Sequence, residues 1–319
     1  MKVSNTLVGQ SLALFAVAAG AAMFAAGNAR GDPYPGQILK FDQEPLNNVN
    51  INGAVYNGTD EASWATSSTS TGGYSGPGVA DDFADLYNTP VVHISWWGSY
   101  LPTPVVPPVT PVSQFLISFE SDVPASPTGG FSHPGSPLLV QTLTRATTSV
   151  GPPPPDQFTE QAVSGASNLY FYNGELSIPF QEKANTVYWL KIVALLGPSD
   201  TSQWGWHNRD YTTQDLLAST PPAVVPGERN VNTAASPVWS FQDDAVTSSF
   251  NYFPTNGVVE ETNFSPLFYH DNADGPTGIS SFSEDMAYRL YTTPEPDSLA
   301  LLAAGGLGLL LKRKRMRFA

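Results

Sequence analysis

Apolar and polar residues alternate with period two along most of the chain, in short runs separated by glycine and proline. Val92, Ile94 and Trp96 fall in one phase, and His93, Ser95 and Trp97 in the other. Phe115, Ile117 and Phe119 alternate with Leu116 and Ser118. Leu169 and Phe171 share a phase, as do Leu176, Ile178 and Phe180. Tyr188, Leu190 and Ile192 oppose Val187, Trp189 and Lys191, and Met286, Tyr288 and Leu290 form a last set with Arg289 pointing away. Side chains of an extended strand point alternately to its two faces, so each run predicts a strand with one face in a core. Helical spacing is scarce, with Gln214–Ala218 allowing one short turn. The prolines of Leu101–Pro111 and Gly151–Pro155 cannot join a ladder and predict irregular chain. There is no repeat of fixed period. Many short strands with Gly/Pro turns predict an all-β fold, an antiparallel β-sandwich of jelly-roll type.

The two ends break this pattern. Lys2 precedes an apolar run through Ala26, and Gly27-Asn28-Ala29 places small residues where a signal peptidase reads. That layout predicts a secretory signal peptide over residues 1–29, the alternative being an uncleaved anchor helix. At the far end, Pro294-Glu295-Pro296 precedes the apolar run Leu299–Leu311 and the basic cluster Lys312-Arg313-Lys314-Arg315. A helix over that run would be roughly 20 Å long, short of the roughly 30 Å hydrocarbon core, so either the basic stems snorkel or the helix is only a temporary stop. The β-sandwich domain is then 30–293, with a C-terminal signal over 294–319. The last strand runs directly into Pro294.

The order Pro-Glu-Pro, apolar helix, basic cluster resembles the PEP-CTERM sorting signal of exopolysaccharide-producing bacteria. The resemblance implies recognition of the tail by exosortase, transient anchoring by the helix, and transfer to the cell surface or extracellular matrix. An ordinary single-pass anchor is the alternative. Within the body, Val79-Ala80-Asp81-Asp82-Phe83 followed by Val91–Trp97-Gly98-Ser99-Tyr100 resembles an uncharacterised "ADDF…WWGS" group of bacterial surface proteins. Phe119–His133, Trp204-Gly205-Trp206, Asp243–Val246 and Asp285–Tyr288 resemble its later landmarks. This second resemblance implies fold and location and supplies no mechanism.

Composition narrows the choices. Charged residues make up 13% of the chain, against 27 Gly and 29 Pro, while 17 Phe, 13 Tyr and 7 Trp argue for a packed interior. With no cysteine, disulfide scaffolds, thiolate metal sites and cysteine nucleophiles are excluded. The net charge is −14, and six of the 14 basic residues (Lys2, Lys312, Arg313, Lys314, Arg315, Arg317) lie in the two ends. A body this acidic repels nucleic acid.

Candidate chemistry is thin. Asp81–Asp82 and Asp243–Asp244 are adjacent carboxylates that would need a cation or donors around them, and calcium is the cofactor such pairs could hold if a turn aimed both at one ion. The other reading makes each pair a turn cap beside a solvated carboxylate. Asp271–Gly275 resembles a calcium loop only superficially, because Ala273 stands where a ligand belongs. No nucleophile elbow, zinc-protease motif or phosphate-binding loop occurs, and no enzymatic activity is expected. His93, His133, His207 and His270 show no ligand spacing; His93 reads as a sheet residue and His133 as a turn residue. Trp97, Trp204 and Trp206 are candidates for stacking on sugar rings, with Trp204 and Trp206 on one face of a strand. Their other reading is core. The expectation is an exported surface or matrix protein handled by signal peptidase and exosortase, with exopolysaccharide binding as the alternative and a glycoside hydrolase behind it.

Overall fold

The computed structural model describes residues 36–51, 54–70, 72–84, 88–101, 110–124, 131–147, 153–166, 168–184, 186–200, 202–210, 245–267 and 284–293. The chain divides into a body, Lys40–Thr292, and a unit of its two ends, Met1–Leu39 with Thr293–Ala319. The expected signal peptide, the tail beyond Thr293 and the turn at Gln214–Ala218 lie outside the described residues.

Strands alone build the body among these residues. They are β1 (Ile38–Gln43), β2 (Val49–Ile51), β3 (Ala54–Tyr56), β4 (Asp60–Ala62), β5 (Trp64–Ser67) and β6 (Tyr74–Phe83). Next come β7 (Val91–Leu101), β8 (Gln114–Val123), β9 (His133–Arg145), β10 (Gln157–Ala162) and β11 (Leu169–Phe180). The last are β12 (Tyr188–Leu196), β13 (Gln203–His207), β14 (Val246–Phe253), β15 (Val258–Pro266) and β16 (Tyr288–Thr292). The all-β expectation holds, but the sheet is mixed. β9 and β10 run parallel, as do β5 and β12, which departs from a purely antiparallel jelly roll.

Two central strands organise the sheet. β7 pairs with β11 along one edge, and with β16 and β13 in series along the other. β12 pairs with β8 along one edge, and with β6 and β5 in series along the other. From β11 the ladder passes through β10, β9 and β8 to β12. β4 and β5 are separated only by Ser63, and β4 pairs with β13, so the ladder returns to β7. The sheet thus closes on itself at Ser63. There the Ser63 N–H donates to Trp204 O at 3.1 Å, and Ser63 O accepts from Ala194 N at 3.0 Å. The hydroxyl donates to Ile192 O at 2.5 Å and accepts from Val79 N at 3.1 Å. Four chain segments are joined through one buried serine.

One phase of each strand fills the interior. Trp96 stacks on Tyr172 at 5.4 Å, Phe115 meets both edge-on, and Phe119 stacks on Phe180 at 4.3 Å. Phe158, Leu190, Ile192, Tyr288 and Leu290 belong to the same cluster. All nine residues of β12 are buried because its other face is covered too. The β14–β15 hairpin extends the sheet from β6, and Phe250, Tyr252 and Val259 pack with Leu116, Val193 and Leu195. Ile178 departs from expectation. A register irregularity between Glu175 and Phe180 turns it outward, 58% exposed, while Leu176 and Phe180 stay in the core. Gln141 of β9 bridges that irregularity. Its Oε1 accepts from the Ser177 and Ile178 amides at 3.1 Å each, and its Nε2 donates to Ile178 O at 2.8 Å.

Candidate functional site

Residues able to carry chemistry form several groups, and three of them bear most directly on the candidate chemistry. The first lies where β6 meets the chain entering β16. Alternation puts Asp81 on the side of Val79 and Phe83, and Asp82 on the opposite side with Ala80. Both carboxylates are buried, but a strand sends them to opposite faces, so they cannot share an ion. The condition set for calcium, a turn aiming both carboxylates at one ion, is not met at Asp81–Asp82. Asp81 instead accepts from Met286 N at 2.8 Å and faces the Asp285 carboxyl, which Arg209 meets at 2.6 Å. Burial and then Asp285 push the Asp81 carboxyl well above its usual range, while Met286 N–H and Arg209 act the other way. Asp243, Asp244, His270 and Asp271–Gly275 lie outside the described residues. Among the described residues, no group of three or more His, Asp or Glu could hold a metal ion.

The second place is occupied by tryptophan. Trp204 and Trp206 do share a face, as their spacing requires, but it is the inner one. Trp204 donates its indole N–H to Tyr172 Oη at 3.1 Å, and Trp206 donates to Ala287 O at 3.0 Å. Both rings are fully buried in the main core, so the open stacking platform expected of them is not there. Trp97 faces the other way, 7% exposed, packed on Phe171 and covered by the Arg289 guanidinium at 5.2 Å from its ring. Arg289 is itself held by Asp42 and Glu44, each at 2.7 Å.

The histidines are likewise engaged. His93 reaches Glu175 at 2.9 Å from a buried sheet position, and His207 lies between Asp60 at 2.8 Å and Leu46 O at 3.0 Å. His133 opens β9 and stacks on Phe264 at 4.7 Å, so it is a strand residue and not the expected turn residue.

The third place went unseen in the sequence. Lys191, midway along β12, meets Glu120 of β8 at 2.6 Å and also pairs with Glu261 of β15. A second buried pair joins Lys40 of β1 to Glu182. The available signal was a lone lysine inside the apolar run Tyr188–Leu196. A buried ammonium needs carboxyl partners, though spacing cannot say which.

Comparison with known proteins bears on this geometry. Residues 39–264 match the model of a domain of unknown function, DUF7901, and residues 292–315 match the PEP-CTERM protein-sorting motif. No curated protein and no solved structure matches the chain. The sorting motif implies processing by exosortase, with export and surface or membrane association. The domain model brings no molecular activity with it. The chain, matched over most of its length, belongs to the DUF7901 family of domains and carries the sorting signal of an exosortase-handled extracellular protein.

Proposed function

We propose that the protein is a non-catalytic structural component of the cell surface or extracellular matrix. One observation carries this reading: in the described body, the candidate side chains singled out above are used to join strands or fill the core. Asp81, Asp285 and Arg209 tie β6 and β13 to the approach of β16. Lys191, Glu120 and Glu261 tie β12, β8 and β15. Trp204 and Trp206 fill the interior. The carbohydrate-binding reading loses the rings on which it rested. Loss of the tail beyond Pro296 and of residues 1–29 belongs to the same proposal.

Fractionation of cells tests it. The wild-type protein is expected outside the cell without Lys312–Arg317, whereas Glu295→Ala leaves chain that still carries Lys312–Arg317 in the membrane fraction with the body still folded. Recovery of exterior protein with its basic tail attached would defeat the sorting reading. Hydrolysis of the host's own polysaccharide by the purified exterior protein would defeat the non-catalytic one.

A further inference from the structure

Lys191 interrupts a stretch of β12 that is otherwise apolar from Tyr188 to Leu196. Its side chain is wholly buried between the closed sheet and the β14–β15 hairpin, where Glu120 and Glu261 flank it with 1% and 6% of their side chains exposed. Each carboxyl group is fixed by a serine. Ser118 Oγ donates to Glu120 Oε1 at 2.8 Å, and Ser248 Oγ donates to Glu261 Oε1 at 2.6 Å. One amine therefore faces two carboxyl groups, with Trp189 and Val193 on the same strand face and Phe250 in the covering hairpin. Two ionised carboxylates and one ammonium would leave unbalanced negative charge in a dry interior, so one carboxyl is favoured with its proton on. Burial acts most strongly on Glu120, raising it; Lys191 opposes, and Glu261 raises it further.

We propose that Lys191 and Glu261 condense to an amide, a covalent brace between the closed sheet and its hairpin, with Glu120 carrying the protons. The ammonium first passes a proton to Glu261, giving a neutral amine beside a neutral carboxyl group. Lys191 Nζ then attacks Glu261 Cδ. Glu120 gives its proton to the departing hydroxyl and takes one from the nitrogen, ending as it began. The Nζ–Cδ bond forms, one Cδ–O bond breaks, and one water leaves. No oxidant or cofactor enters. The chain has no cysteine, so a disulfide cannot fasten this hairpin. The proposal is independent of the sorting signal and of any ligand.

Tryptic peptide mapping of the folded exported protein by mass spectrometry decides the matter. The expected product is a branched species joining the Lys191 and Glu261 peptides, one water lighter than their sum, with no cleavage after Lys191. Lys191→Arg keeps the charge pairing without a competent nucleophile, and Glu120→Gln keeps the shape without a proton carrier. Both are expected to give separate peptides and a lower unfolding midpoint. A free Lys191 peptide from the folded wild type, cleaved normally, overturns the proposal whether or not either variant folds. Full cross-linking in Glu120→Gln overturns the role given to Glu120.

Discussion

Trp206 shows what a single side chain can decide. Its ring packs edge-on against Tyr288 at 5.7 Å and its N–H is bonded to Ala287 O, so truncation opens a cavity and strands an acceptor. Trp206→Ala is expected to cost about 3–5 kcal/mol in chemical denaturation, the loss typical of a buried aromatic. An unchanged midpoint would return the ring to the surface. Asp81 makes a different prediction. Its carboxyl is raised above the ordinary value of 3.8, so the folded state holds a proton that the unfolded state has released. The stability linked to this proton is complete below that ordinary value and is lost as pH rises through the folded-state value. Asp81→Asn should flatten this decline, measured as the slope of unfolding free energy against pH; an unaltered slope would mean that Asp81 does not supply it. The indoles were legible as an aromatic pair on one face, but period-two spacing cannot distinguish the inner face from the outer when a strand is covered on both sides. The Asp81–Asp82 pair was legible only as two acids. Its meaning depends on Asp285, which lies far along the chain.

At the scale of elements, the runs that alternation marks became β7, β8, β11, β12, β13 and β16, and the exception within them has a local cause. Ile178 kept the right period but fell on the register irregularity that Gln141 bridges, and nothing in a run of apolar letters marks such a shift. The closure at Ser63 was equally hidden, because the sequence shows only a serine between Ala62 and Trp64. Its hydroxyl is the acceptor for the buried Val79 amide, so Ser63→Ala should cost about 1–3 kcal/mol, the penalty for a stranded donor. Urea denaturation measures this, and faster hydrogen exchange at Val79 would place the loss at the seam. A neutral substitution would show that the amide finds another partner.

At the scale of the molecule, β16 matters out of proportion to its length. It brings Tyr288 and Leu290 into the core and pairs with the edge of β7, and just before it Met286 and Ala287 bond to Asp81, Trp206 and His207. A chain ended before Met286 should fail to give a cooperative unfolding transition by circular dichroism. A sharp transition would show that the remaining strands suffice. The sorting signal was fully legible because it is a local pattern with its parts in fixed order. The closed topology was not, because it depends on pairings between distant segments.

β1 lies beside β16 at the edge of the sheet, and this pairing has a consequence in time. Asp42 and Arg289, joined across the first and last strands, are 247 positions apart. β1 therefore waits, without this sheet neighbour, until residues 247 positions further along have been made. Contacts this distant form late and close slowly. The pairing that completes this edge of the sheet is therefore among the last to form.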